Sequence, residues 1–205
     1  MERVVRPEIL DELPSDDPRA IRSRRDLRWI NTVLGNERWV EKQFLLAGGA
    51  RVVELGAGEG KLSERLSKHA SVIAVDLAPR PVNLSESINW LQGDLFKLAN
   101  DLDGDVLVAS LFLHHFETGD LVKLAERLLT FETLIFCEPW RVSWGHKFGS
   151  LWRPLMNDVT WHDMHVSIDA GFIPGELPRI FGGSWEWTET TDWRGSIRTV
   201  GRRRS

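Results

Sequence analysis

Residues 52–66 read VVELGAGEGKLSERL, and this stretch decides the fold. A valine-rich run leads to Glu54, glycines occupy the alternate positions 56, 58 and 60, and a helical pattern begins near Lys61. Glycine permits a tight turn and lets a ligand approach main-chain atoms that a Cβ would shield. A helix that begins beside such a turn offers free N–H groups. The stretch therefore predicts a strand, a ligand-binding loop and a helix, in that order.

Short apolar runs alternate with helical patterns between residues 50 and 139. The runs are Arg51–Leu55, Val72–Val75, Asn89–Leu91, Asp105–Ser110 and Thr133–Cys137, and the helical stretches include Lys61–His69 and Gly119–Leu129. Runs of this length without polar alternation are typical of strands that are buried on both faces. Strands that alternate with helices predict a parallel sheet with right-handed crossovers. We expect a loop or a reduced helix over 77–88, where two prolines occur.

The two flanks of this segment have different patterns. In the leader, helix signals begin near Pro18, break at Gly35 and end at 48–49. Toward the other end, a helical pattern over Thr160–Ala170 is followed by a loop rich in glycine and proline. Two strand-like runs, Ser184–Thr188 and Ile197–Val200, then predict an antiparallel pair.

Together these patterns predict an α/β fold. We expect a Rossmann-like, doubly wound, mostly parallel sheet of about seven strands, with a C-terminal antiparallel hairpin and an N-terminal helical extension. We place a helical extension or lid at residues 1–47 and the main domain at 48–205, with a substrate-cap insertion at 140–170.

The composition is that of an ordinary globular protein. The chain has 205 residues, of which 42% are hydrophobic, and a formal net charge of −4, so nothing in it favours a nucleic-acid or membrane partner. The single cysteine, Cys137, excludes an internal disulfide and indicates a reducing compartment. The sequence shows neither a signal-peptide pattern nor an apolar run of membrane-spanning length. We therefore expect a cytoplasmic protein.

The glycine spacing separates two classes of cofactor. A dinucleotide-binding loop reads G-x-G-x-x-G, and its third glycine would fall on Lys61, so that pattern fails. The pattern E-x-G-x-G-x-G instead resembles the first motif of class I S-adenosylmethionine-dependent methyltransferases. The resemblance implies S-adenosylmethionine as cofactor, with Glu54 near its amino group. It also implies loop contacts to the methionyl part from Gly56, Ala57, Gly58 and Gly60.

Two later strand ends agree with this resemblance. The run VIAVDLAP, residues 72–79, ends at Asp76, whose carboxylate can accept hydrogen bonds from both ribose hydroxyls, although this would also suit NAD. The segment WLQGDLF, residues 90–96, resembles the family's third-strand motif, in which Asp94 accepts from the adenine amino group. A simple turn role for Asp94 stays open. Further candidate cofactor contacts are Leu77, Leu95, Ser110 and Leu111.

The exits of the fourth and fifth strands supply candidate catalytic residues. His114 and His115 follow the fourth strand. Each can serve as a general base or as a packing and capping residue. Neither spacing nor partners indicate metal binding, and we predict no metal. Glu138, in the segment CEPWR, either faces the substrate or pairs with Arg141. The fourth-strand exit lacks the Asn/Asp-Pro-Pro-aromatic motif of many enzymes that methylate amino groups of bases.

Several other side chains are candidates for the acceptor side. Tryptophans between the fifth strand and the last helix can pack the cap or line a pocket, namely Trp140, Trp144, Trp152 and Trp161. The leader helix can close over the same crevice through Arg24, Arg25, Trp29 and Asn31. We expect His162 and His165, which are three residues apart, to be solvated or capping residues.

These observations predict a methyltransferase that uses S-adenosylmethionine to methylate a small-molecule acceptor on oxygen or carbon. The sulfonium methyl is already activated, so positioning alone can supply about 7–11 kcal/mol of barrier reduction. Three alternatives stay open. The basic clusters at 19–28 and 194–204 weakly favour an RNA or protein methyltransferase. An NAD-dependent oxidoreductase and a catalytically silent S-adenosylmethionine-binding protein are the other two.

Overall fold

The computed structural model describes residues 1–14, 16–146, 153 and 156–204, and a seven-stranded sheet lies at its centre. The strands are β1 (Arg51–Leu55), β2 (Ser71–Asp76), β3 (Ile88–Gln92), β4 (Val106–Ser110), β5 (Thr133–Pro139), β6 (Trp185–Asp192) and β7 (Ser196–Arg203). Their order across the sheet is β3-β2-β1-β4-β5-β7-β6. The pairs among β1 to β5 are parallel, and β7 is antiparallel to β5 and β6. The predicted Rossmann-like fold with a C-terminal hairpin is confirmed.

Helices cover both faces of this sheet. They are α1 (Ile9–Glu12), α2 (Pro18–Leu34), α3 (Asn36–Ala47), α4 (Lys61–Leu66), α5 (Leu95–Leu98), α6 (Thr118–Arg127), α7 (Asp158–Ala170) and α8 (Glu176–Phe181), with 3-10 turns at Ala99–Asp101 and Leu113–His115. Residues 143–146 are also helical. Within the described part of the chain, no helix has both the length and the apolar character needed to cross a bilayer.

Two hydrophobic layers hold the helices on the sheet. Phe44 of α3 and Leu66 of α4 belong to one layer, while Leu124 of α6 and Phe181 of α8 belong to the other. Because successive side chains of a strand point to opposite faces, each central strand supplies both layers. The whole of β5 is therefore buried, as the unbroken apolar runs predicted.

The leader forms its helices where the sequence places their start and break. The Asp17 side chain caps α2 by accepting the Arg19 N–H at 2.7 Å, and Pro18 occupies the first position, where a missing N–H costs nothing. Gly35, with a φ of 67°, ends α2 and precedes α3. The one-turn helix α1 was not predicted.

The loop predicted after residue 172 is wrong in part, because it contains α8. Gly175, with a φ of 86°, precedes this helix, and Pro178 lies in its first turn, where proline is tolerated. Buried Leu177 and Phe181 anchor α8 in the core. Local glycine and proline signals therefore concealed a short helix that tertiary packing stabilises. In addition, α4 ends at Leu66, three residues before the predicted end at His69.

Candidate functional site

The carboxyl ends of the parallel strands meet at one edge of the sheet, which we call the carboxyl edge. The register pairs Leu55 with Val75 and Asp76 with Gln92, so the loops after β1, β2 and β3 lie side by side. On the other side of β1, β4 and β5 end together, with Ser110 opposite Cys137. In open α/β sheets, ligands bind at this edge, where the strand order reverses. Here that point lies between β1 and β4.

The loop after β1 presents bare main chain. Gly56 and Gly58 have φ values of 67° and 55°, which side chains other than glycine rarely adopt. The N–H groups of Gly56 and Ala57 donate to the Val75 carbonyl at 2.9 and 3.2 Å. A Cβ on Gly56 would lie 2.1 Å from the Phe112 ring, whereas a Cβ on Gly58 would meet nothing within 4 Å. The loop is therefore packed at one end and open at Gly58.

Asp76 joins this loop to the next. Its carboxylate accepts the Gly58 N–H at 2.7 Å and the Ala78 N–H at 2.8 Å. A carboxylate has about four acceptor sites, so Asp76 can accept two further hydrogen bonds from a diol. The neighbouring Leu77 side chain is 74% exposed, which makes it available to cover a flat ring at the carboxyl edge.

Asp94 caps a short helix. Its carboxylate accepts the Phe96 N–H at 2.9 Å at the start of α5. The side chain of Leu95 is buried in the core, so a role in covering the cofactor would fall to its main chain. The turn role of Asp94 is thus present, and its role toward adenine stays a prediction.

Glu54 is a buried carboxylate beside the glycine loop. It is 3% exposed, and the Ser63 hydroxyl at the start of α4 donates a hydrogen bond to it. Burial raises the pKa of Glu54 to about 8. A buried carboxylate of this kind is stabilised by a nearby cation. The ammonium group of an amino-acid moiety would supply one.

The exit of β4 contains a residue in an unusual conformation. Leu111 has a φ of 55°, and its N–H donates to the Cys137 carbonyl at 2.8 Å. Such backbone strain in a residue other than glycine is often found at functional sites. After this turn, the N–H groups of Phe112 and Leu113 donate to one oxygen of Glu138 at 3.0 and 2.9 Å.

Glu138 and Glu8 hold His114 between them. Glu138 is fully buried, and its second oxygen lies 2.8 Å from Nδ1 of His114. On the other side of the ring, Nε2 lies 3.5 Å from Oε1 of Glu8. Burial alone would lower the pKa of His114, but the hydrogen bonds and charges of the two glutamates outweigh it and raise the pKa to about 9. The two carboxylates therefore favour a positive charge at the His114 ring.

His115 is the more accessible of the two histidines. Its ring packs on that of His114, with centroids 4.3 Å apart and planes inclined by 34°. Its side chain is 27% exposed, and Nδ1 lies 3.7 Å from a carboxylate oxygen of Asp11. Burial, followed by the positive charge of His114, lowers the pKa of His115.

The pairing of Glu138 with Arg141 that the sequence left open is wrong. Arg141 instead contacts Glu176 at 2.5 Å and donates to the Gly171 carbonyl at 2.8 Å. Because Arg141 is neutralised by α8, the carboxylate of Glu138 is directed to the β4 exit and to His114.

The tryptophans of the cap make mutual and mixed ring contacts. Trp140 and Trp144 meet edge to face, with centroids 5.6 Å apart. Trp161 meets His165 in the same way at 4.5 Å. His165 also stacks on His146 with planes 3° apart. These contacts resemble core packing, and Trp152 lies outside the described residues.

The remaining predicted side chains lie on α7 and on the leader helix α2. His162 contacts Asp163 at 3.0 Å, and its side chain is 47% exposed, in keeping with a solvated role. In α2, Arg28 contacts Glu59 of the loop at 2.8 Å, so the helix that carries Arg24, Arg25, Trp29 and Asn31 approaches the loop.

Glu8, Asp11 and Ser63 are site residues that the sequence analysis missed. Glu8 and Asp11 lie in the leader and contact histidines from a distant part of the chain, so no local pattern indicates them. Ser63 lies nine residues after Glu54. Its place on the first turn of the helix after the loop was a signal that could have been used.

Comparisons with known proteins agree with this geometry. The family described as "Methyltransferase domain" matches residues 53–137, from β1 to β5. An uncharacterized methyltransferase-like protein of Schizosaccharomyces pombe is 24% identical over 163 residues, which cover 76% of this chain and 57% of that protein. The chain therefore spans little more than half the length of this curated relative.

Solved structures share the fold. Human N-acetylserotonin methyltransferase, crystallised with S-adenosylmethionine, matches with a TM-score of 0.65 at 16% identity, over 95% of this chain and 61% of that chain. The plantazolicin methyltransferase BpumL, crystallised with S-adenosylhomocysteine and a pentazolic desmethyl analogue, matches with a TM-score of 0.68 at 12% identity, over 92% of both chains.

Proposed function

We propose that the chain is a class I S-adenosylmethionine-dependent methyltransferase, which transfers the methyl group of S-adenosylmethionine to a small-molecule acceptor. The transfer is directed to oxygen or carbon. S-Adenosylmethionine is therefore both cofactor and methyl donor.

One observation carries this proposal. The glycine loop, Asp76 and Asp94 follow β1, β2 and β3, and these strands are adjacent and in register at the carboxyl edge. A bare loop, a diol acceptor and an amine acceptor in this order suit the methionyl, ribose and adenine parts of one ligand. The open space beside Gly58 fits a ligand that lies against the main chain.

The residues proposed to hold the cofactor fall into three groups. Glu54, buried and in need of a cation, would bind the ammonium group. Asp76 and Asp94 would bind the ribose and the adenine. The remaining contacts would come from Gly56, Ala57, Gly58, Gly60, Leu77, Leu95, Ser110 and Leu111. When bound, the sulfonium supplies an activated methyl group, so the chain's own residues mainly bind and align.

We assign His114, His115 and Glu138 to the acceptor side as the catalytic group. Glu138 orients His114, and His115 presents its accessible edge to the acceptor. Residues 1–47 would act as a lid, which the contact between Arg28 and Glu59 supports. Residues 140–170 would form the acceptor cap.

Small acceptors and a cytoplasmic location complete the proposal. The similar structures include an N-acetylserotonin methyltransferase and one bound to an analogue of plantazolicin, which favours small molecules over RNA or protein. Cys137, a free and buried thiol, is consistent with a reducing compartment.

Calorimetry followed by turnover tests the proposal. We expect saturable binding of S-adenosylmethionine and S-adenosylhomocysteine, and formation of the latter when a panel of phenols, alcohols and carbon acids is added. NADH, bulk RNA and unfolded protein serve as comparisons. Binding of NADH alone would refute the proposal. Turnover on RNA or protein alone would show that the acceptor is a macromolecule and not a small molecule. Cofactor binding without turnover on any acceptor would indicate a catalytically silent binding protein.

A further inference from the structure

The leader places a carboxylate directly on the histidine pair. Arg3 donates to the Phe116 carbonyl at 2.7 Å, and the N–H of Ile9 donates to the Asp163 carboxylate of α7 at 2.8 Å. These bonds fix the leader on both sides of Glu8. The carboxylate of Glu8 is consequently buried at the end of β4.

The second carboxylate, Glu138, fixes the orientation of His114. A carboxylate oxygen accepts, so the 2.8 Å contact with Glu138 requires Nδ1 of His114 to carry the hydrogen. This leaves Nε2 directed toward Glu8, at 3.5 Å from Oε1. Histidines that bind metals almost always donate their other ring N–H to a carboxylate, a carbonyl or water in this way.

The three side chains are close enough to serve as ligands of one ion. One ligand atom from each of Glu8, His114 and His115 lies within 4.8 Å of the other two. Ligands that are each about 2.1 Å from a zinc ion lie about 3.0–3.5 Å apart. The Glu8–His114 contact already has that length, and the partly exposed His115 side chain has to turn from its packing on His114 to bring in the third atom.

The open side of the cluster carries a further oxygen ligand. Asp11 lies 3.7 Å from Nδ1 of His115, and its side chain is 63% exposed. Imidazole and carboxylate ligands together suit zinc and the neighbouring first-row divalent ions. Three buried or partly buried protein ligands with an exposed fourth side are typical of catalytic metal sites.

We propose that Glu8, His114 and His115 bind one divalent first-row metal ion, with Glu138 as the residue that orients His114. The ion would hold a hydroxyl or carboxylate oxygen of the acceptor in its open position, beside the cofactor. That role rests on the proposed function, whereas binding of the ion does not. The alternative to a metal ion between Nε2 and Glu8 is a proton. Protonated His114 would then form ion pairs with both Glu8 and Glu138.

Metal titration of the full chain tests this inference. The protein is freed of metal with a chelator and titrated with Zn²⁺ by calorimetry and with Co²⁺ by visible absorption. We expect one ion per chain and cobalt bands characteristic of nitrogen and oxygen ligands. Glu8→Gln and His115→Gln should each weaken binding about tenfold or more, and Glu138→Gln by about 10- to 100-fold. His69→Gln, which alters a histidine paired with Glu41, should bind as the wild type does.

Circular dichroism and S-adenosylmethionine calorimetry on the same proteins separate the two proposals. We expect Glu8→Gln to remain folded and to bind the cofactor normally. Absence of stoichiometric binding to the wild type, or wild-type affinity in both the Glu8 and the His115 variant, would leave the proton as occupant and overturn the inference. Metal binding without cofactor binding would instead refute the proposed function and leave the metal site intact.

Discussion

Glu54 and Glu138 are the next-to-last residues of the central strands β1 and β5, yet their carboxylates have different partners. Both are almost completely buried, at 3% and 0% exposure. Glu138 accepts three main-chain N–H groups and contacts the His114 ring. Glu54 accepts a hydrogen bond from the Ser63 hydroxyl, and burial raises its pKa.

The difference distinguishes a structural charge from one that a ligand completes. On the acceptor side, the negative charge of Glu138 is compensated by groups of the protein, so it stabilises the fold. On the donor side, the charge of Glu54 is favourable when a cation arrives. Variants at the carboxyl edge can therefore be sorted by whether they damage stability or cofactor binding.

Replacement of Glu138 tests the structural half of this comparison and should have the largest effect. Glu138→Gln leaves the buried His114 ring and three main-chain N–H groups poorly paired, and we expect a loss of about 3–5 kcal/mol in the free energy of unfolding, measured with urea. Glu132→Gln, at an exposed position just before β5, should stay within about 0.5 kcal/mol of the wild type. Similar losses in both variants would contradict the distinction.

Replacement of Asp76 tests the donor half. Asp76→Ala removes a carboxylate that we assign to the ribose, and S-adenosylmethionine binding should weaken by about 1.5–3 kcal/mol in calorimetry. The matched variant Asp103→Ala alters an exposed aspartate that pairs with Arg51 and should bind normally. Unchanged affinity in Asp76→Ala would remove this residue from the site.

A pair of glycine variants separates the effect of backbone strain on stability from the effect of a blocked cofactor space on binding. Gly58 and Gly48 both have positive φ values and open space beside them, but Gly48 ends α3, away from the carboxyl edge. We expect each valine variant to lose about 1–2 kcal/mol of stability. Gly58→Val should also bind S-adenosylmethionine about tenfold more weakly or worse, because its side chain enters the cofactor space. Equal affinities in the two variants would show that this loop is not the binding loop.

The pH dependence of stability tests Glu54 itself. Its folded-state pKa of about 8 exceeds the ordinary value of 4.5, so its contribution to stability is full below the ordinary pKa and is lost as pH rises toward 8. Glu54→Gln retains an acceptor for Ser63 but does not titrate. The stability of the wild type relative to this variant should therefore fall between about pH 5 and 8, by at most about 1.4 kcal/mol per pH unit. If the free energies of unfolding of the two proteins changed with pH in parallel, the pKa of Glu54 would not be raised in the folded state.

The candidate donor site could be assembled from the sequence because its parts are local. The loop, its glycines and the strand ends at Asp76 and Asp94 lie on short consecutive segments, and a parallel sheet necessarily brings such ends together. The helix breaks at Gly35 and Gly48 were equally visible, since each glycine has a positive φ.

The acceptor side could not be predicted in the same way. Glu8 contacts His114 although the two residues are far apart in the sequence, and nothing in the residues near either one indicates the other. The sequence left open whether Glu138 faces the substrate or pairs with Arg141, and packing of the unpredicted helix α8 pairs Arg141 with Glu176 instead. Contacts of this kind depend on tertiary packing, which composition and periodicity do not encode.

The bonds from the leader to α7 also set an order of events during synthesis. Arg3 donates to the Ala170 carbonyl at 2.8 Å, and Val4 donates to that of Asp169 at 3.1 Å. Residues 1–10 can therefore reach their final place only after most of the chain has left the ribosome. The glycine loop lies between β1 and β2, which are close in sequence and pair with each other, so it can form before the contact between Glu8 and His114 does.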